Sequence, residues 1–225
     1  MSADGLSSEL PGSGRVLFTA RADGNVSSVR GDEVERGVDA RERLRARIGV
    51  RRIARARQVH GAVVALVSDR DDPPTDVVVE ADGQATVLAR FGVMVLTADC
   101  LPVALGSPRA VAMLHAGWRG MAAGVLERGV LALRELGGAD EITAVIGPGA
   151  GACCYEVGAE VHAALTGTSR RGPIDLRAIA RRRLLAAGVA DVRDVRACTI
   201  CDRRFFSHRR EGERAGRQAG VAWLS

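Results

Sequence analysis

Short apolar runs separated by polar turns dominate this chain, and the sharpest pattern lies at its centre. Gly92–Leu96 and Ala110–Leu114 have strand length and β-branched content, with LPVAL at 101–105 a third such run between them. Polar chemistry gathers at the ends of these runs: Asp99 and Cys100 before the middle one, His115 after the last. GWRG follows and opens a helical pattern, MAAGVLERGVLALREL. A strand that ends in His and feeds a helix N-terminus presents a reactive side chain beside an anion site. Strand ends lying side by side bring Cys100 and His115 together.

The flanking sequence is read the same way. Arg15–Ala20 predicts a strand, and Glu33–Ile48, with Val34, Val38, Leu44 and Ile48 among charges, an amphipathic helix. Arg51–Gln58 and Ala62–Val67 are strand-like, broken at His60–Gly61. DRDDPPT at 69–75 is a loop, Val77–Val79 a short buried strand, and ADGQAT at 81–86 a polar turn. Further on come a strand at Glu141–Ile146, the loop GPGAGACC, and helices over Tyr155–Leu165 and Asp175–Ala187, the second capped by Asp175. A polar, Arg-rich tail precedes a last strand-like run, VAWL. Residues 1–14 lack an apolar core and read as a disordered N-terminal tail, leaving 15–225 as one domain. Strands outnumber helices without alternating with them, so the fold class is α+β: a single domain of mixed β-sheets flanked by helices.

Composition narrows the function more than the fold. A chain of 225 residues with 47% hydrophobic content builds one domain with a sizeable core. The net charge of +5 comes from a chain without lysine, a bias of coding more than a phosphate-tracking surface. Aromatics at 3% also argue against a base-stacking platform, so no nucleic acid partner is expected. No run approaches the ~18 apolar residues of a membrane span, and no secretory pattern opens the chain. Five cysteines in such a chain imply reduced thiols, hence a cytoplasmic protein without a membrane partner.

His60 in QVHG, Cys100 in TADC and His115 in HAGWRG are three residues of metal-ligand type at strand ends. A Cys and two His leave one tetrahedral position free, as catalytic zinc requires, and thiolate with imidazole suits Zn or Cu over Mg or Ca. The alternative is a satisfied core His and an inert buried Cys. Cys198 and Cys201 form a CxxC, and Cys153 and Cys154 are adjacent. Together they invite a four-thiolate structural zinc or a redox pair. A vicinal pair is poor geometry for one tetrahedral ion and this CxxC does not open a helix of a βαβ unit, so surface or core thiols are the default reading. His162 falls in a helical pattern and reads as packing; His208 lies in a segment rich in directed polar groups. Arg119 at the presumed helix start and Arg21 after the first strand are candidates to hold an anion. Asp99, Asp82 and Glu156 are the carboxylates placed to move protons, although an Asp beside a ligand also serves to orient it.

These blocks, in order (FTAR, RQVHG, ADGQAT, LTADCLPVAL, HAGWRG, IGPGAGACCYEVG, CTICDRRFFSHRR and GRQA), resemble the laccase-domain family. That family is also called YfiH-type or multicopper polyphenol oxidase and is described as purine nucleoside phosphorylases. The resemblance implies a layered α/β/β/α domain and a metal, Zn2+ or Cu2+, on His60, Cys100 and His115. It implies phosphorolysis of adenosine, inosine and methylthioadenosine, with adenosine deamination in the same pocket. Purine nucleoside and phosphate are then the partners of a monomer or homodimer. Catalysis is expected of His60, Cys100, His115 and Asp99, and substrate or phosphate contacts of Arg21, Arg119, Glu156 and His208. The segment after FTAR is shorter than the family's, the loop after GP lacks the common Cys or Ile, and His208 stands where many relatives have Tyr. Three other readings use the same residues. They are a cysteine hydrolase of amides or peptidoglycan precursors with Cys100 as nucleophile and His115 as base, a copper-dependent polyphenol oxidase, and a non-enzymatic interaction domain.

Overall fold

Strands with alternating inward residues form the outer parts of this structure, and unbroken apolar runs form its middle. The computed structural model describes residues 6–27, 33–68, 79–137 and 141–225. Along the chain lie β1 (Ser7–Glu9), β2 (Gly14–Phe18), α1 (Glu33–Ile48), β3 (Arg52–Arg55), β4 (Val64–Val67), β5 (Gly83–Thr86) and β6 (Phe91–Thr97). Next come β7 (Leu101–Gly106), β8 (Val111–Ala116), α2 (Trp118–Ala123), α3 (Val125–Gly137), β9 (Thr143–Ile146) and β10 (Glu156–Val157). The last are α4 (Ala159–Thr166), β11 (Gly172–Pro173), α5 (Leu176–Ala186), β12 (Asp191–Asp194), α6 (His208–Glu211) and β13 (Gln218–Leu224).

Two mixed sheets, ordered β1-β2-β13-β6-β3 and β12-β9-β7-β8-β5-β4, pack face to face. Val16, Phe18, Val93, Val95 and Ala222 of the first meet Ala104, Val111, Met113 and Val145 of the second. The outer face of the first sheet buries Met94, Val221 and Trp223 under Ala40 and Leu44 of α1. The outer face of the second buries Leu101, Val103, Leu105 and Leu114 under Val125, Leu126, Val130 and Leu133 of α3 and Ile179 and Leu184 of α5. The order of layers is therefore α/β/β/α, as expected. β7 and β8 are buried along their whole length because both faces are covered, which is why their sequences show no polar alternation. Each buried Leu or Val there contributes about 1.5–3 kcal/mol. Gly129 lets α3 press onto β8; a Cβ there would stand 2.4 Å from Leu114 Cδ1.

Several local expectations change in the structure. Within the predicted tail, Ser7–Glu9 form a strand, pairing with Arg15–Leu17 in antiparallel register. ADGQAT is not a turn throughout: Gly83–Thr86 form β5, parallel to β4 and antiparallel to β8. Its polar residues are buried with partners; the Gln84 amide reaches Ala54 O and Ala56 N on the other sheet, and Thr86 Oγ1 donates to Val67 O. The long central helix is two helices, because Gly124 adopts a left-handed φ of 92° between α2 and α3. The helix predicted from Tyr155 starts at Ala159, after the short β10. In α1 Gly37, Ala40 and Leu44 are buried, whereas Val38 is exposed. Asp175 does cap α5, accepting from Ala178 N at 2.9 Å. The predicted loop at 69–75 and Val77–Val78 lie outside the described residues, and Val79 is exposed.

Candidate metal centre and adjoining cleft

The centre is organised by Asp82, at the entry to β5 and fully buried. Its carboxylate accepts from three successive backbone N–H groups, those of Val59 (3.1 Å), His60 (2.9 Å) and Gly61 (2.7 Å). Successive N–H groups that converge in this way make an anion-binding nest. The same carboxylate meets His115 Nδ1 at 2.8 Å, and Asp82 O accepts from His115 N at 2.7 Å. One residue therefore fixes both the loop that carries His60 and the ring at the end of β8. His60 holds a left-handed φ of 60°, a conformation the nest stabilises.

Cys100, immediately before β7, completes the group. The ligand atoms of His60, Cys100 and His115 lie within 4.8 Å of one another, and the two imidazoles meet edge to face with centroids 4.8 Å apart. Gly117 makes room for them: a Cβ there would stand 2.8 Å from Cys100 Sγ and 3.3 Å from His60 Cδ2. His115 is buried, Cys100 is half-buried and His60 is exposed, so the group opens to solvent on one side.

The electrostatics are those of a charged cluster. Burial opposes ionisation of the Cys100 thiol, but the facing His115 imidazole, and His60 after it, bring it down to about 6. Burial disfavours the His115 cation, yet Cys100 and Asp82 raise it to about 9. Burial also works against the Asp82 carboxylate, which the His115 ring and the Gly61 and Val59 N–H groups hold below the usual range. Asp82 occupies His115 Nδ1, leaving Nε2 as the donor atom toward the cluster, the orientation that metal-binding imidazoles share. Two imidazole nitrogens and a thiolate, close together and open on one side, fit an ion of the zinc or copper class.

A cleft of about 490 Å3 adjoins the cluster, lined by Trp118, Tyr155, Glu156, Val161, Arg171 and Arg209 among others. His60, Cys100 and His115 do not line it, but Trp118 directly follows Gly117. The Tyr155 hydroxyl is pushed up by burial and by the Cys100 charge, with Arg209 acting in the opposite sense. Arg209 sits 5.2 Å over the Tyr155 ring and donates to Glu156 O at 3.1 Å.

The other sequence candidates fall in different places. Asp99 does not turn a free carboxylate to the cluster; it accepts from Thr199 Oγ1 (2.6 Å), Ser207 Oγ (3.1 Å) and Arg209 N (2.7 Å). Arg21 is committed to Glu211 and Phe205 O and stacks on the Phe206 ring. Arg119 is exposed and lies 4.4 Å over Trp118, on a helix of only six residues whose dipole adds little. Glu156 lines the cleft, whereas His208, first in α6, is exposed and its neighbour Arg209 reaches the cleft instead. His162 is buried packing, with Nε2 3.3 Å from Gly172 O. Sequence reasoning did not single out Tyr155, Trp118 or Arg209 as cleft residues, nor Asp82 as the hub. The sequence places Asp82 among the carboxylates able to move protons, on the signal of a charge beside glycine in a polar turn. Cys153, Cys154, Cys198 and Cys201, read from sequence as surface or core thiols, gather into a second group with all sulfurs within 4.8 Å. No helix of the described residues is long and apolar enough to cross a membrane.

Comparison with known proteins agrees with this fold. The profile of the family described as multi-copper polyphenol oxidoreductase laccase matches residues 13–225. A Xylella fastidiosa protein named purine nucleoside phosphorylase is 42% identical over 226 residues, covering 89% of this chain and 84% of its own. A Corynebacterium glutamicum protein of the same name is 33% identical over 235 residues, covering 93% and 94%. Among solved structures, a Neisseria meningitidis protein superposes with a TM-score of 0.87 at 31% identity over 98% of both chains. A Bacillus licheniformis protein, YfiH, gives 0.84 at 26% identity over 94% and 93%. With nearly the whole chain matched by profile, sequence and fold, the protein belongs to the multi-copper polyphenol oxidoreductase laccase family.

Proposed function

We propose that this chain is a metal-dependent purine nucleoside phosphorylase. It converts adenosine, inosine or methylthioadenosine and phosphate to the free base and ribose 1-phosphate, with adenosine deamination in the same pocket. The observation that carries this reading is the convergence of His60, Cys100 and His115 on an Asp82-braced centre beside a cleft of nucleoside size. The relatives named purine nucleoside phosphorylase support the reaction class. Phosphorolysis breaks the glycosidic C–N bond, forms a C–O bond to phosphate, and lets the base leave with the bonding pair. When bound, an ion on His60, Cys100 and His115 supplies a Lewis acid for that chemistry. Asp82 keeps the His115 ring in register, Trp118 and Tyr155 offer faces for a purine, and Arg209 and Arg171 line the same cleft with positive charge suited to an anionic phosphate. Asp99 acts by holding the Thr199–Arg209 segment, with no part in proton transfer. The soft donors of the centre favour Zn2+, with Cu2+ the alternative. The assay is release of adenine from adenosine with and without phosphate. Phosphate dependence supports the reading, and release that ignores phosphate refutes it.

One observation favours a second reading. Cys100, His115 and Asp82 form a thiol–imidazole–carboxylate series with the thiol lowered to about 6, the order of a cysteine hydrolase. A chelator separates the two, abolishing the first activity and sparing the second. The polyphenol oxidase reading fits less well. The chain has four histidines, of which His162 is buried against Gly172 O and His208 is exposed on α6. One His-Cys-His set does not supply both a type 1 site and a trinuclear copper cluster.

A further inference from the structure

The four remaining cysteines come from two loops that flank the centre. Cys153 and Cys154 lie in the loop after β9, and Cys198 and Cys201 in the turn after β12. Their sulfurs all lie within 4.8 Å of one another, with Cys153 to Cys154 at 3.5 Å and Cys153 to Cys201 at 3.6 Å. Four thiolates around one zinc ion, each at ~2.3 Å, are separated by roughly 3.8 Å. No pair is bonded, and all five cysteines of the chain are free. The vicinal pair, unsuited to one ion when read from sequence, converges because of a tight turn in which Cys154 N and Tyr155 N both donate to Gly151 O at 3.0 Å. A second sign of ligand geometry is the treatment of Cys198. Its sulfur accepts from Gly151 N at 3.2 Å, a donor in the loop that carries Cys153 and Cys154. A backbone N–H donating to sulfur stabilises a thiolate over a thiol. Gly151 itself is required: a Cβ would stand 2.9 Å from Cys198 Cβ and 3.3 Å from Cys153 Sγ.

We propose that Cys153, Cys154, Cys198 and Cys201 bind a single structural Zn2+ that clips the two loops together, a site separate from the His60–Cys100–His115 centre. Binding releases the thiol protons to solvent and leaves a tetrathiolate of net charge −2. Arg210 braces the CxxC turn, donating to Thr199 O and Ile200 O at 2.8 Å each, and Arg177 donates to Ala197 O at 2.5 Å. A cluster of several irons needs its thiolates spread wider than one ion does, so the close sulfur spacing selects a mononuclear site. The clip matters to the centre because the same loops hold it. Ala150 N donates to Asp99 O at 2.7 Å, Thr199 Oγ1 donates to the Asp99 carboxylate, and Tyr155 directly follows Cys154.

The test uses the full chain carrying Cys100→Ser, which removes the only thiol of the other centre. Titrated with Co2+, it takes up an ion with the intense thiolate-to-cobalt charge-transfer bands of a sulfur-only tetrahedral site. Zn2+ displaces the cobalt and slows alkylation of the four thiols roughly tenfold or more. The further variant Cys153→Ser/Cys201→Ser, altered at two exposed positions, loses the bands while circular dichroism stays native. In the otherwise native chain, Gly151→Ala weakens zinc retention without removing a ligand. Absence of the charge-transfer bands in folded protein, equal alkylation with and without Zn2+, or bands that persist in the double variant would each overturn the proposal.

Discussion

Replacing Asp82 by Asn keeps its shape and removes half of its accepting capacity. The carboxylate accepts four hydrogen bonds at 2.7–3.1 Å, two on each oxygen: His60 N and His115 Nδ1 on one, Val59 N and Gly61 N on the other. An amide nitrogen only donates, so in either orientation two donors lose their acceptor. Hydrogen bonds to a charged group contribute about 1.5–3 kcal/mol each, a gross loss of about 3–6 kcal/mol. Water recovers part of this, because Val59 and His60 are exposed; the net cost is on the order of 2–4 kcal/mol. The same change frees the His115 ring and the His60 loop, which lowers metal affinity about 10–100-fold. Urea unfolding followed by tryptophan fluorescence reads the first number, and competition with a zinc-binding dye reads the second. An Asp82→Asn protein with wild-type stability and wild-type zinc affinity would show that the nest does not organise the centre.

Other expectations follow from the same contacts. Gly117→Ala, at an ordinary negative φ, puts a methyl 2.8 Å from Cys100 Sγ; it costs about 1–3 kcal/mol and lowers zinc occupancy measured by plasma emission. Arg177→Ala removes bonds to Gly147 O, Gly149 O and Ala197 O and the Asp194 ion pair at 2.6 Å, so the two cysteine loops gain amide exchange rates that mass spectrometry detects. In metal-free protein Cys100 is alkylated with a midpoint near pH 6, where an ordinary thiol would need a pH near 9. The lowered thiol contributes stability that is lost as pH falls through about 6; the raised His115 contributes stability that is lost as pH rises through about 9. Because the first contribution grows between about pH 6 and 9 while the second fades between about 6.5 and 9, the two cancel, and a thermal-melt pH series on metal-free protein is nearly flat across that window.

The central strands and the His60–Cys100–His115 group were legible in the sequence because they depend on local signals. Unbroken apolar runs mark strands covered on both faces, and ligand-type residues stand at their ends. What the sequence did not disclose depends on contacts distant along the chain. Asp82 reads as a turn residue until the loop at 59–61 folds over it. Asp99 reads as a proton carrier because it neighbours Cys100, yet its partners Thr199, Ser207 and Arg209 lie about a hundred residues away. β5 was missed because Gln84 and Thr86 break the apolar pattern, and their burial becomes tolerable only with partners from β3 and β4. The four-cysteine group is hidden by the vicinal pair, whose poor geometry for one ion the turn at Gly151 overcomes.

The central claim, that residues 60, 100 and 115 hold an ion on which nucleoside cleavage depends, is tested most directly by one assay of adenosine turnover. Zinc-loaded protein is predicted to form adenine and ribose 1-phosphate only with phosphate present, to stop when the metal is stripped, to resume when zinc is restored, and to be inactive as Cys100→Ala. Turnover that survives metal removal, or persists in Cys100→Ala, would contradict the account.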